Sequence, residues 1–394
     1  MQILANFFNW LFDDSIKNKN VIDDKILFSG ICLLAIGLVM VYSASIAYAA
    51  SERGINNQYY YLIRHLEYIA VGSVAGILVF LSRTSFWQKY AKIIGIGIVI
   101  LLIAVLIPHV GKTVNGSKRW IGIGLLNLQP SELSKLGIVI YLAYYVNTKK
   151  EKLQNFTKDI LPILGVIIMV SGLLLLEPDM GSATVIFIIA FGMLYMAEID
   201  NKVILGFGGL GVLGFTVLIL IAPYRMRRVL GFINPWDDAL GKGYQLTHSL
   251  LAVGHGGWFG VGVGNSIEKL FYLPEAHTDF ILAIVAEECG VVGVGIIILL
   301  FWIIFYRGFV VVAYQAKMLK RNFQAMLAQG ISLWFFAQAM VNIGVTIGVL
   351  PTKGLTLPFV SFGGSSILVS CMALAMLLKI DYENKQILKG NFIE

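Results

Sequence analysis

Three carboxylates stand in one mostly apolar stretch: Asp279 at its mouth, and Glu287 and Glu288 inside the run that begins at Ile281. A charge near the middle of a bilayer helix costs on the order of 3 kcal/mol, so three acids call for partners, cavity water or protonation. That cost marks a candidate site. Asp279 also has a structural reading, because Thr278 can cap the following helix while Asp279 faces its positive end. On such a helix Glu287 lies eight residues on, about 12 Å deeper and within roughly a quarter turn of Asp279, whereas Glu288 points the other way. Glu287 is therefore expected to share a cavity with Asp279, and Glu288 to meet a neighbouring helix.

Other charged pairs recur at the ends of apolar runs. In Gln129-Pro130-Ser131-Glu132-Leu133-Ser134-Lys135, the proline suits a first helical turn, and Glu132 and Lys135 are i,i+3 neighbours that partly neutralise each other. Two readings stand: a structural ion pair, or a Lys135 that holds an anion. Glu177-Pro178-Asp179 reads either as a Pro-initiated turn before Gly181 or as a contribution to the same cavity. The stretch Leu350 to Ser366 is a Pro/Gly-interrupted polar re-entry carrying Lys353, Ser361 and Ser365. Irregular backbone at membrane depth persists only where protein or water satisfies it, and its free N–H groups, with Lys353, could receive a phosphate or a sugar. His277 and His248 are acid/base candidates with an equally ordinary role as hydrogen-bonding loop residues. Gln338 and Asn342, four apart, are expected to bond across helices. Gly260, Gly262 and Gly264 make no nucleotide loop, since no strand precedes them and no Gly-Lys-Ser/Thr comes after.

The elements that must position these groups are membrane helices. The 394 residues are 58% hydrophobic and 13% charged, with a mean hydropathy of +0.79, outside the range of soluble domains. Apolar runs near the roughly 20 residues needed to cross a bilayer recur along the chain. They predict an all-α polytopic bundle of about ten spans, near 26–48, 62–81, 91–108, 129–147, 159–176, 181–198, 202–222, 279–306, 325–350 and 359–379. An N-terminal segment 1–25 precedes the membrane domain 26–379, and a cytoplasmic tail 380–394 completes the chain. Met1 to Phe12 lacks basic residues ahead of it and is followed by Asp13-Asp14, so it reads as an interfacial helix, not a secretory signal.

Lys17, Lys19, Lys25, Arg83, Lys89, Lys149, Lys150, Lys152, Lys158, Arg307, Lys317, Lys320, Arg321, Lys385 and Lys389 gather on one side, which the positive-inside rule makes cytoplasmic, together with both termini. The net charge of +7 follows from this orientation and does not point to nucleic acid. Lys112, Lys118, Arg119, Arg225, Arg227, Arg228 and Lys353 fall on the opposite, outer side. Lys242 and Lys269 read as charges that a long outer loop, 223–278, tolerates. That loop is the one long connection and the expected external working surface. Cys32, Cys289 and Cys371 lie in apolar runs with no metal-ligand spacing, so neither a disulfide framework nor a protein-held metal is expected.

Taken together, Asn115-Gly-Ser-Lys-Arg119-Trp120, Gln129-Pro-Ser-Glu132, Glu177-Pro-Asp179, Pro274-Glu-Ala-His-Thr-Asp279-Phe280 and Thr352-Lys-Gly-Leu-Thr-Leu-Pro-Phe-Val-Ser-Phe-Gly-Gly-Ser-Ser366 resemble the SEDS family (shape, elongation, division, sporulation) of bacterial cell-wall polymerases. The resemblance runs from about Lys25 to Lys379 and is nearest to the division branch. Lys118 stands where the family often has Arg, Phe362 where it has Tyr and Ser182 where it has Thr. Lysine keeps the charge but loses the bidentate fork.

What the resemblance implies is a peptidoglycan glycosyltransferase in the cytoplasmic membrane, acting at the septum. It would polymerise lipid II at the outer face and release undecaprenyl pyrophosphate. Asp279 would be the catalytic base. Lys135, Arg119 and Lys353 would serve the leaving pyrophosphate, with Lys118, Glu132, Glu177, Asp179, His277, Thr278, Glu287, Ser361 and Ser365 belonging to the substrate site. No resident cofactor is implied, but a divalent cation, Mg²⁺ or Mn²⁺, could ride with the pyrophosphate. Partners implied are a class B penicillin-binding transpeptidase and other division-complex membrane proteins. A lipid II flippase, a non-catalytic division scaffold, and the elongation or sporulation branches remain as alternatives.

Overall fold

The computed structural model describes residues 21–53, 57–114, 117–123, 126–149 and 155–391. The interfacial helix expected over Met1 to Phe12, the basic residues Lys17, Lys19, Lys150 and Lys152, and Asn115 lie outside the described residues. In chain order the bundle comprises α1 (Asp24–Arg53), α2 (Tyr60–Leu81), α3 (Thr84–Leu106), α4 (Pro130–Lys149), α5 (Leu161–Leu176), α6 (Met180–Met196) and α7 (Asn201–Ile221). Next come two shorter helices, α8 (Pro223–Ile233) and α9 (Tyr244–Gly256), then α10 (Ile281–Tyr306), α11 (Ala313–Met318), α12 (Asn322–Thr346) and α13 (Gly364–Leu388).

Among the described residues, eight helical segments are long and apolar enough to cross a membrane. Two more, the 17-residue α6 and the 20-residue α4 with its buried Glu132 and Lys135, bring each of the ten expected spans a helix. The chain is a polytopic α-helical membrane protein. Helices α12 and α13 are largely enclosed, whereas α7 fully buries Ile204 and Phe207 alone among its described side chains.

Three features depart from the expected plan. Between α3 and α4 the chain forms a small antiparallel meander of β1 (Gly111–Val114), β2 (Ser117–Ile123) and β3 (Leu126–Leu128), with Lys112 opposite Trp120 and Ile121 opposite Leu128. The last helix starts at Gly364, after an irregular segment, and runs on to Leu388, so residues 380–388 of the expected tail continue the helix. Its extension is held because Arg321 bonds Glu383 and Asn384, both buried. The expected loop 223–278 contains α8 and α9, and the turn after α9 is spliced into α10.

That splice replaces two helical hydrogen bonds by four. Gly290 takes φ 67°, ψ −168° inside α10, so Val291 N and Val292 N turn away from the helix and donate to Gly257 O (3.0 Å) and Trp258 O (3.1 Å). The freed carbonyls of Glu287 and Glu288 accept from Val261 N and Gly262 N, each at 3.0 Å. The approach is backbone against backbone: a Cβ on Gly260 would collide with the Glu288 carbonyl, and one on Gly256 with the Ala286 carbonyl.

The opposite end of the bundle is closed by ion pairs. Arg307 bonds Asp23 through Nη2 (2.6 Å) and Nε (2.9 Å), and Lys149 reaches Asp159 at 2.9 Å. Asp23 also accepts from the backbone N–H groups of Lys25 and Ile26, which caps α1. Breaking a buried pair by removing one partner typically costs about 3 to 5 kcal/mol, and losing a cap adds about 1 kcal/mol. Thermal unfolding in detergent is therefore expected to rank wild type above Asp23→Asn, which keeps an acceptor for the cap, and Asp23→Asn above Asp23→Ala; equal midpoints would remove this pair from the stability of the bundle.

Candidate active site

At the end of the bundle away from the Asp23–Arg307 pair lies a cavity of about 1100 Å³ whose walls come from α4, α6, α7, the sheet, the loop before α10 and the irregular segment before α13. Arg119, Glu132, Asp179, Thr278, Asp279 and Lys353, all singled out from the sequence, line it. So do Glu275, Arg228, Gln245, Thr184, Tyr68 and Phe215.

Asp279 sits at the last turn before α10, its own carbonyl accepting from Asn342 Nδ2 at 3.1 Å. A Cβ on Gly354 would stand 2.7 Å from Asp279 Oδ2. The glycine is what lets the irregular segment close over the carboxylate. Burial, reinforced by the Glu275 and Asp179 carboxylates and opposed by Arg119 and Arg228, raises Asp279 to about 7. It is thus poised to exchange a proton near neutrality. Thr278 does not cap α10 as expected; its hydroxyl is taken by the Glu275 carbonyl (3.2 Å) and carboxylate (2.8 Å), and α10 begins after Phe280 without a side-chain cap.

Cations face the acid across the cavity. The Arg119 guanidinium is fixed by the carbonyls of Glu177 and Pro178, and Lys353 Nζ donates to Thr184 Oγ1 at 2.9 Å and lies 5.6 Å from the Phe215 ring centre. Burial lowers Lys353 to about 8. Asp179 is an N-cap for α6, accepting from Ser182 N (3.0 Å) and Ser182 Oγ (2.9 Å). The hydroxyl that matters there is present in serine, so the departure from Thr leaves the cap intact.

The irregular segment is held from below by α12. Asn342 Nδ2 donates to Leu355 O (2.6 Å) and Gln338 Nε2 to Thr356 O (2.8 Å). Both amide nitrogens satisfy this backbone, and Gln338 also bonds across helices, as the sequence suggested, whereas Asn342 Nδ2 serves the irregular segment and the loop before α10. Gln338 Oε1 in turn accepts from Lys135 Nζ (3.0 Å) and Trp334 Nε1 (2.7 Å), and Lys135 pairs with Glu132 at 2.7 Å. Lys135 is completely buried and does not line the cavity; it supports the floor. Glu132 Oε2, by contrast, belongs to a lining residue and has no hydrogen-bond partner among the described residues.

Several expected site residues stand off the cavity for identifiable reasons. Lys118 precedes Arg119 on a strand, where neighbours face opposite sides, and points to solvent. Glu177 is fully buried, both carboxylate oxygens without partners among the described residues; burial, then Asp179, raises it to about 8 against the pull of Arg119. His277 joins a ring cluster with Tyr48, Tyr61 and Phe362. Ser361 Oγ accepts from Leu357 N (2.7 Å), and Ser365 Oγ accepts from Gln129 N (2.9 Å), tying α13 to the start of α4.

Glu287 does not share the cavity with Asp279. It turns to the splice, accepting from Ser266 Oγ, Ile267 N (2.9 Å) and Glu268 N (3.3 Å), and meets His255 at 3.0 Å. Glu288 meets Ser43 of α1 as expected (2.7 Å) and also Lys269 (2.6 Å). Lys269 is therefore a buried ion-pair partner and not a loop charge, and His248 is likewise engaged by Glu268 at 2.7 Å. Of the residues that the sequence reading did not single out, Glu275 had a visible signal, four residues ahead of Asp279 in the same motif; Gln245, Thr184, Tyr68 and Phe215 carried none.

A bundle with eight helices long and apolar enough to cross a membrane among the described residues, and a cavity at one end lined by an acid of raised pKa and several cations, defines a polytopic membrane protein. The chain belongs to the FtsW/RodA/SpoVE family, whose model, described as a cell cycle protein, matches residues 24–386. It is 48% identical over 371 residues to a protein of Burkholderia thailandensis named probable peptidoglycan glycosyltransferase FtsW, covering 93% of this chain and 80% of that one. An Aromatoleum aromaticum protein of the same name is 49% identical over 370 residues, covering 94% and 90%. Among solved structures, one described as structural coordination of polymerization and crosslinking by a peptidoglycan synthase complex matches with a TM-score of 0.75 at 27% identity, covering 92% of this chain and 98% of that one. The rod shape determining protein RodA of Thermus thermophilus matches with a TM-score of 0.66 at 25% identity, covering 93% and 99%.

Because Lys135 holds both Glu132 and Gln338, Lys135→Met should strand a buried carboxylate and cost about 3 to 5 kcal/mol. The double variant Lys135→Met with Glu132→Gln should recover much of that loss in the thermal midpoint. A single variant as stable as wild type would show that the pair contributes nothing to the floor.

Proposed function

We propose that this chain is a peptidoglycan glycosyltransferase that polymerises lipid II into β-1,4 glycan strands at the outer face of the cytoplasmic membrane, for septal wall synthesis. The observation that carries the reading is the Asp279 carboxylate, raised to about 7 in a cavity it shares with Arg119, Arg228 and Lys353. The names of the relatives support it.

Converting an α-linked donor to a β-linked product inverts the anomeric carbon, so one displacement suffices. The 4-hydroxyl oxygen of the acceptor N-acetylglucosamine attacks that carbon, its proton passes to Asp279, and the bond to the undecaprenyl pyrophosphate breaks. Arg119, Arg228 and Lys353 stabilise the charge that develops on the departing pyrophosphate. Lys135, given that task in the sequence reading, acts from beneath through Glu132 and Gln338.

A divalent ion carried with the pyrophosphate would add charge neutralisation. Among the described residues no group of three or more His, Cys, Asp or Glu side chains could hold a metal, so the protein's share would be one or two carboxylates, which suits Mg²⁺ beside a phosphate. Glu132, a residue of the cavity lining whose buried Oε2 has no partner among the described residues, is the carboxylate that would supply it.

The positive-inside bias puts both termini in the cytoplasm and the cavity outside. The class B penicillin-binding transpeptidase is the partner that would crosslink the product. The flippase reading loses support because the described residues that line the cavity come from one end of the bundle, with Lys135 and Gln338 buried beneath them.

Asp279→Asn should lower polymerisation by about 10² to 10⁴-fold with the fold intact, the usual worth of a positioned base, read as lost glycan ladders from lipid II on gels with the transpeptidase present. Near-wild-type ladders would remove Asp279 from the mechanism; accelerated lipid II flipping in vesicles without ladders from either protein would replace the polymerase reading.

The pH profile gives a separate check. The base works deprotonated, so activity should rise with pH through about 7; Lys353 works protonated, so activity should fall above about 8. Lys353→Arg, which keeps its charge, should move the alkaline limb upward, and an unmoved limb would assign it to another group.

A further inference from the structure

The turn after α9 has no role in the chemistry above, yet it exposes its two largest side chains: Trp258 is 72% and Phe259 82% accessible. Residues 256–267 carry no charged side chain. Their depth can be read along α1, which joins two landmarks, the Asp23–Arg307 ion pair and the Ser43–Glu288 hydrogen bond. From Asp24 to Ser43 the separation is about 29 Å at 1.5 Å per residue, and α10 spans the same two landmarks with its break at Gly290. That separation is close to the roughly 30 Å of a bilayer's hydrocarbon core. If the ion pair marks one boundary, Glu288 marks the other.

Trp258 lies on the inner side of that second boundary, because its carbonyl accepts from Val292 N, about one turn below Glu288. Its neighbours on α10, Val291, Val292 and Ile296, are themselves exposed on the side of the bundle. The turn therefore continues the lipid-facing surface of a membrane helix. Tryptophan with an apolar body and a polar N–H is favoured at that depth.

We propose that the turn Gly257 to Gly264 is a membrane anchor, with Trp258 and Phe259 inserted into the bilayer interface at the cavity end of the bundle. The partner is the lipid in which the chain sits. The turn's backbone is bonded to α10 at residues 287–292 and leads through Lys269 and Glu275 to Asp279, so the anchor ties the cavity-wall loop to the membrane surface.

The test uses the full-length protein in vesicles of phosphatidylethanolamine and phosphatidylglycerol, made with and without brominated acyl chains, and compares wild type with Trp258→Phe. The expected result is a quenching component from brominated lipid that is lost in Trp258→Phe, while aqueous iodide quenches both proteins equally. An iodide-sensitive component lost in the variant would place Trp258 in water and overturn the proposal. A Trp258 signal quenched by neither agent would mean that another polypeptide covers the turn, which overturns it equally. Neither result depends on polymerisation, so the anchor can fail with the proposed activity intact.

Discussion

Irregular backbone at the edge of a membrane must find its hydrogen bonds inside the protein, and the cavity is a solution to that constraint. Residues 347–363 leave the helical pattern between α12 and α13, which frees peptide groups that lipid cannot satisfy. Two amides one helical turn apart on α12, Gln338 and Asn342, supply donors to Thr356 O, Leu355 O and Asp279 O. The same two rungs therefore fix the segment that bears Lys353 and the loop that bears Asp279. Lys135 completes the arrangement by holding the acceptor side of Gln338. Cavity groups from distant parts of the chain share one floor because one helix satisfies both backbones.

The floor also explains how so many charges are tolerated together. Glu132 and Lys135 neutralise each other beneath the cavity, Asp179 is consumed as a cap, and Glu288 is paired with Lys269. Asp279 has no such ion pair among the described residues. Its carboxyl feels burial and the Glu275 carboxylate more strongly than the pull of Arg119 and Arg228, so its affinity for a proton stays high. Paired acids around an unpaired one give separate roles to residues of one type.

Much of this was legible in the sequence, because ten apolar runs can do little else in a bilayer and because Asp279, Arg119 and Lys353 interrupt or flank those runs at a cost. What stayed hidden was which way each polar group turns. Glu287 has the right helical phase to face Asp279, but Gly290 breaks the helix three residues later and the splice claims its carboxylate. Ser361 and Ser365 lie in the expected segment and spend their hydroxyls on neighbouring backbone. The small sheet was missed because its strands are too short to show a period, although the Asn115-Gly116 dipeptide between two of them is a recognised hairpin signal. Thr184 and Phe215 reach the cavity from apolar spans in which nothing distinguishes them.

The splice between the α9 turn and α10 bears on how the chain is made. Residues 256–262 are synthesised before α10, and a newly formed α10 has its own way of satisfying the groups involved, since Val291 N and Val292 N can reach the carbonyls four residues back as in any helix. The folded chain instead makes four non-local bonds, which can close only once the turn and α10 have both been made. Glycines at 256, 260 and 290 leave the two main chains room to meet at that moment.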